Sequence, residues 1–256
     1  MDLSVPRLRM IAGPNGSGKS TIKKKLDDLK GSLGDLIVTF VNADEIQDQF
    51  RQFGILDFSQ FGLSIDIDDL RDFMEQSTQL RRSETSVQAL ELSLEGDRLS
   101  IGKGEPNGYF AATIADFVRS RLLKEGKSFT CETVLSHRSK IDMLREARGL
   151  GYKTYLYFVG TDDVQINLAR IKNRVLDGGH NVDSTKVTER YDRSMSLLYE
   201  AVQTSWRAYV FDNSQDQGDT SLVAEFENGK AVWIESEVPD WFAKHYVALS
   251  FDLRLD

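Results

Sequence analysis

The segment Gly13-Pro14-Asn15-Gly16-Ser17-Gly18-Lys19-Ser20-Thr21 follows directly on the apolar run Leu8-Arg9-Met10-Ile11-Ala12, and together they constrain the fold more than any other part of the chain. Glycines at these spacings let the backbone curl so that its N–H groups point at phosphate oxygens. Lys19 can then reach the β- and γ-phosphates, and the Ser20 hydroxyl can hold Mg²⁺. Ile22, Leu26 and Leu29 follow at i, i+4 and i+7, the period of a helix packed on one side. Strand, glycine loop and helix in that order are a P-loop, so residues 13–21 are expected to bind a nucleoside triphosphate with its magnesium ion. No base-reading pattern separates ATP from GTP.

The rest of the composition narrows the partners. A formal charge of −8 over 256 residues, 40% of them hydrophobic, describes a globular chain without the basic surface that a nucleic-acid track needs. Arginines gather only locally, at Arg170, Arg174, Arg190 and Arg193. One cysteine, Cys131, excludes an internal disulfide and suits a reducing compartment. The first seven residues carry no apolar leader, and no run approaches the roughly 20 apolar residues that span a bilayer. The expectation is a cytoplasmic protein with no membrane and no nucleic-acid partner.

Strand-like runs recur at Leu8–Ala12, Leu36–Val41, Phe129–Cys131, Tyr155–Val159 and Tyr209–Phe211. Helix-period segments follow Lys19 and run from about Phe110 to Lys124, Lys140 to Leu150, Val164 to Leu176, and Ser184 to about Thr204. This alternation predicts one α/β domain over residues 1–256, a mostly parallel sheet flanked by helices. Two features interrupt it. Residues from about 54 to 107 read as an insertion over one edge of the fold, acidic at Asp66, Asp68, Asp69 and Asp72, with a small hairpin around Glu95-Gly96-Asp97; the alternative is a solvated excursion. Near the C-terminus, Leu222–Phe226 and Ala231–Ile234 flank an Asn228-Gly229 turn, a second hairpin.

Ligands of open parallel sheets sit at the carboxyl ends of the strands, which singles out the residues just past each run. Asp44, in Val41-Asn42-Ala43-Asp44-Glu45, can serve as the base that takes the proton from an attacking hydroxyl, or as the N-cap of the helix that starts there. Glu132 ends the Phe129–Cys131 strand and can either hold a metal-bound water or bind the acceptor. Thr133, Ser136 and His137 extend that rim, each also fit to be a turn or cap residue. Arg170 and Arg174 share a helix face opposite Leu168, Ile171 and Val175; a glycine loop and a second helix with Arg190 and Arg193 follow. The region from about 170 to 193 therefore has the composition of a mobile lid bearing arginines, although Arg170 and Arg193 taken singly also suit surface ion pairs.

Taken together, these segments resemble the zeta toxin and UDP-N-acetylglucosamine kinase family, in particular the branch described as predicted ABC-type ATPases. The likeness is carried by Ile11 to Thr21, Val41-Asn42-Ala43-Asp44-Glu45-Ile46, Phe129 to Ser136, Arg174-Val175, Gly178 to Val182, Arg190-Tyr191 and Asp212-Asn213-Ser214. The resemblance implies a P-loop kinase that moves the γ-phosphate of ATP to a hydroxyl of a UDP-activated amino sugar. It implies Lys19 as the phosphate-binding lysine, Asp44 as the activating acid, Glu132 as an acceptor-site carboxylate, and Arg174 and Arg190 as the lid arginines. It also implies an antitoxin protein as a candidate partner. The insertion is longer than the family leads one to expect.

Two rival readings stand beside this one. An ABC-type ATPase acting on protein partners requires a Leu-Ser-Gly-Gly-Gln signature; the nearest text is Leu92-Ser93-Leu94-Glu95-Gly96. A nucleotide-binding interaction module would use the insertion as its partner surface, with little turnover.

Overall fold

The structure, a computed structural model, describes residues 5–29, 39–82, 90–102, 107–176, 183–215 and 220–252. The chain forms two compact units: Met1–Ile37 with Thr130–Asp256, and Val38–Phe129. The second unit is an excursion from the first in sequence and contains the whole of the expected insertion.

The first unit begins with β1 (Arg7–Ala12) and α1 (Lys19–Asp28), which buries Ile22 and Leu26 as their spacing requires. The second unit then supplies β2 (Thr39–Val41), α2 (Ala43–Phe53), β3 (Ile55–Asp57), α3 (Ile67–Gln76), α4 (Thr78–Arg82), β4 (Leu92–Glu95), β5 (Arg98–Ile101) and α5 (Gly108–Lys124). The chain returns through β6 (Phe129–Thr133), α6 (Ser139–Gly149), β7 (Lys153–Gly160), α7 (Val164–Leu176), α8 (Ser184–Ser196), α9 (Leu198–Thr204) and β8 (Arg207–Asp212). A hairpin of β9 (Ser221–Glu227) and β10 (Lys230–Ile234) and a short helical tail from Asp240 to Asp252 complete it.

In the first unit the strand order is β10-β9-β8-β7-β1-β6, with β1, β7 and β8 parallel and β9 and β10 antiparallel. The apolar runs end up inside: Leu8, Met10, Leu156, Phe158, Val210 and Phe226 are at most 1% exposed. The Asn228-Gly229 turn closes β9 onto β10 with φ of 51° and 73° at its two residues, the left-handed geometry that this dipeptide favours. The expected single helix from Ser184 to Thr204 is divided at Leu197, the junction of α8 and α9. Of the expected strand Leu36–Val41, residues 36–38 lie outside the described residues.

The second unit has its own core. Phe58 packs edge-on against Phe117 at 6.1 Å, Phe73 against Phe117 at 5.4 Å, and Phe50 against Phe110 at 5.3 Å between ring centroids. The hairpin expected around Gly96 is β4–β5, and β3 adds to it antiparallel, pairing Leu56 with Leu99. The acidic run is the start of α3: Asp66 accepts a hydrogen bond from the Asp68 N–H, while Asp68 and Asp69 lie in the first turn, where negative charge suits the helix dipole. With Leu56, Leu70, Met74 and Leu99 fully buried, the described part of the insertion is a folded layer, which overturns its alternative as a solvated excursion.

Candidate active site

The loop after β1 is shaped by three glycines at positive φ: Gly13 at 140°, Gly16 at 76° and Gly18 at 100°. None has space for a side chain. A Cβ would lie 2.2 Å from the Val159 carbonyl oxygen at Gly13, 2.7 Å from that of Asn167 at Gly16, and 2.2 Å from Asn213 Nδ2 at Gly18. Gly18 is the N-cap of α1, so no side chain caps this end, and no acidic residue stands in its first turn. The free N–H groups of a helix N-terminus in this state can receive an anion, and the donor set fits phosphate oxygens. Ser20 is exposed in that first turn.

Lys19 is 8% exposed and folds back over its own loop, donating from Nζ to the carbonyls of Gly13 at 3.1 Å and Pro14 at 3.0 Å. Glu132, at the end of β6, brings Oε1 to 3.8 Å from the same ammonium. Two residues that the sequence separates by more than a hundred positions are thus joined, as expected from their places at the ends of neighbouring strands. Beyond Glu132, the Thr133 hydroxyl accepts from the Leu135 N–H at 3.1 Å, and Leu135 is fully buried at a φ of 55°. His137 Nδ1 lies 2.9 Å from the Ser139 hydroxyl and accepts from the Ser139 N–H at 3.2 Å, holding the start of α6. Thr133 and His137 each accept from the N–H two residues on, the turn duty that their sequence positions also allow, while the N-cap of α6 is Arg138; Ser136 between them is half-buried.

Asp44 belongs to the second unit, in the first turn of α2. The cap of that helix is Asn42, in extended conformation, whose Oδ1 accepts from the Asp44 N–H at 2.8 Å. The alternative of Asp44 as the cap is corrected accordingly: the helix starts at Ala43, two residues earlier than that reading requires. The Asp44 carboxylate is left exposed.

The four arginines separate into distinct groups. Arg170 donates to the carbonyls of Asn213 at 2.7 Å and Gln215 at 3.0 Å, fastening α7 to the chain after β8. Arg193 is exposed and pairs with Glu189 one turn away on α8 at 3.3 Å. Arg174 is exposed in the last turn of α7 and Arg190 half-buried on α8. The glycine loop between them, residues 177–182, lies outside the described residues. Beside Arg190, the Tyr191 hydroxyl donates to the Thr161 carbonyl at 2.6 Å, and burial pushes this phenol up to about 12.

Sequence reasoning missed Asn167. It is fully buried on α7, where it accepts from the Thr161 hydroxyl at 2.6 Å and donates to the Asn15 carbonyl at 2.6 Å. Asn213, noted only as part of a resemblance, donates to the Ser17 carbonyl at 2.8 Å.

Sheet, glycine loop and open helix N-terminus define a P-loop protein of the α/β class. The solved structures agree on the fold. A chain of the AvrRxo1-ORF1:AvrRxo1-ORF2 complex with sulphate ions superimposes with a TM-score of 0.58 at 17% identity, over 94% of this chain and 63% of that one. A chain of the same complex with ATP gives 0.55 at 16% identity, over 91% and 62%. Among curated proteins, an uncharacterized protein of Haemophilus influenzae is 39% identical over 69 residues, 27% of this chain and 49% of its own length. The chain thus spans less than two thirds of each of these proteins. No protein family model matches it.

Proposed function

We propose that the protein is an ATP- and magnesium-dependent phosphotransferase that moves the γ-phosphate to a hydroxyl of a small molecule, a UDP-amino sugar first among the acceptors. The observation that carries this reading is the pairing of Lys19 with Glu132 beside an uncapped helix N-terminus, in a loop whose three glycines admit no side chain. The loop amides and the α1 N-terminus would bind the triphosphate, and Lys19 would exchange its hold on the Gly13 and Pro14 carbonyls for the β- and γ-phosphates. Magnesium, when bound, would neutralise charge on the phosphate oxygens, with Ser20 as its protein contact and Glu132 placed to fix its water or the acceptor.

In the transfer itself, Asp44 accepts the proton of the acceptor hydroxyl while that oxygen forms its bond to the γ-phosphorus and the bond to the bridging β–γ oxygen breaks, releasing ADP. Arg174 and Arg190 would meet the charge that accumulates on the transferred group. The preference for Arg190 over Arg193 rests on engagement: Arg193 is tied to Glu189 at the surface. Thr133, Ser136 and His137 would border the acceptor. The antitoxin implied by the family resemblance is the proposed protein partner, and the similar AvrRxo1 chains likewise come from a two-protein complex.

The test is incubation of the protein with γ-labelled ATP, Mg²⁺ and a panel of nucleotide sugars headed by UDP-N-acetylglucosamine, followed by mass analysis. A labelled sugar nucleotide that disappears with Asp44→Ala supports the proposal. ATP binding without any labelled product across the panel would remove the sugar assignment, and the same label with Asp44→Ala would remove Asp44 as base.

A further inference from the structure

Each carbonyl in a phosphate-binding loop is a potential fault, because its oxygen repels the anion that the neighbouring amides attract. In this protein the carbonyls of Asn15 and Ser17 are each taken up by a carboxamide from outside the loop: Asn167 Nδ2 donates to Asn15 O at 2.6 Å, and Asn213 Nδ2 to Ser17 O at 2.8 Å. We propose that Asn167 and Asn213 are positioning residues that hold the loop in its anion-binding form by keeping these two carbonyls directed away from the phosphates. The inference rests on the triphosphate site proposed above and does not require phosphoryl transfer.

Three observations support it. The first is that both amides are fixed. Asn167 Oδ1 accepts from the buried Thr161 hydroxyl at 2.6 Å, which determines that its N–H end faces the loop, and Thr161 is itself held through its carbonyl by Tyr191. Asn213 donates its backbone N–H to the Gly160 carbonyl at 3.0 Å, and its carbonyl accepts from Arg170 at 2.7 Å. Second, Asn167 bears the full cost of burial, since it and Ile171 are the buried residues of α7. An apolar side chain would fill that place without a desolvation penalty, so the carboxamide is there for its hydrogen bonds. Third, loop and supports are in close contact, since a Cβ at Gly16 or Gly18 would collide with Asn167 O or Asn213 Nδ2. One helix touches both supports: Asn167 lies on α7, and Arg170 of the same helix holds the Asn213 carbonyl.

The experiment titrates the full chain with ATP and with inorganic tripolyphosphate, which isolates the loop from base recognition. Wild type is compared with Asn167→Ala, Asn213→Ala and Thr161→Val, and melting of the free protein is followed in parallel. Each asparagine variant should weaken both ligands by the same factor, roughly tenfold. Thr161→Val leaves the loop untouched and only loosens Asn167, so it should weaken both by less. A purely structural role predicts a lower melting temperature with unchanged affinity in the protein that remains folded, and that result overturns the proposal. Loss of ATP affinity with tripolyphosphate unaffected also overturns it, since the asparagines would then serve the nucleoside. Should Asn167→Ala fail to fold, Asn213→Ala and Thr161→Val decide. A wild type that binds tripolyphosphate but transfers no phosphate removes the kinase function and leaves this inference standing. Transfer-competent wild type with unaffected variants does the reverse, and no binding to wild type ends both.

Discussion

The glycine loop and the core of the second unit are held by different means. Around the loop, the contacts that matter are side chains on backbone carbonyls: Lys19, Asn167 and Asn213 each take one or two loop oxygens. In Val38–Phe129 the core contacts are ring on ring, Phe50 with Phe110 and Phe58 with Phe117. Polar contacts fix direction, which a phosphate site needs, and apolar contacts fix volume, which a scaffold needs. Asp44 is the exception that joins the two descriptions: an exposed carboxylate on a helix whose other face, Ile46 and Phe50, lies in the apolar core.

This contrast can be broken in order of expected effect. Asp44→Asn should lower phosphoryl transfer by about 10²- to 10⁴-fold while ATP affinity and melting temperature stay close to wild type, measured by labelled transfer and titration. Lys19→Ala should lower transfer by at least about 10²-fold, and unlike the Asp44 variant it should also weaken ATP. Phe117→Ala, in contrast, should act on stability, by about 3 to 5 kcal/mol in denaturant unfolding, because it removes the ring that both Phe58 and Phe73 meet. A Phe117→Ala protein that kept its stability would show that the second unit is not held by its aromatic cluster. Arg193→Ala should be the mildest change, within about 0.5 kcal/mol and with transfer nearly intact, since it removes only an exposed pair with Glu189. Equal losses of transfer for Arg190→Ala and Arg193→Ala would mean that α8 does not divide its two arginines between phosphate and surface.

What could be read from the sequence follows the same contrast. The loop and the strands of the first unit were legible because each is local: a glycine spacing, an apolar run, an Asn-Gly turn. Glu132 was legible as well, since the end of a buried strand is a place that topology dictates. Asn167 was not. Periodicity on α7 registers Leu168, Ile171 and Val175 as the apolar side, yet Leu168 and Val175 are only half-buried while the polar Asn167 is fully buried beside Ile171. A hydrophobic pattern cannot detect a buried amide whose partner is a carbonyl 152 positions away in sequence. In the second unit, β3 and α3 were missed because three residues of strand and an acidic helix start carry little apolar signal, and their burial depends on partners distant in the chain. Arg170 and Arg193 show the converse, charge that looks functional in sequence and is engaged elsewhere: Arg170 ties α7 to the chain after β8, and Arg193 makes an exposed pair with Glu189.

The most direct test of Asp44 as the base of a phosphotransferase is a paired measurement on the same samples: ATP affinity and single-turnover transfer of the γ-phosphate to acceptor, for wild type and Asp44→Asn. Equal affinity is predicted, with transfer that falls by about 10²-fold or more in the variant. Equal transfer in both proteins, or a variant that no longer binds ATP, would contradict that role.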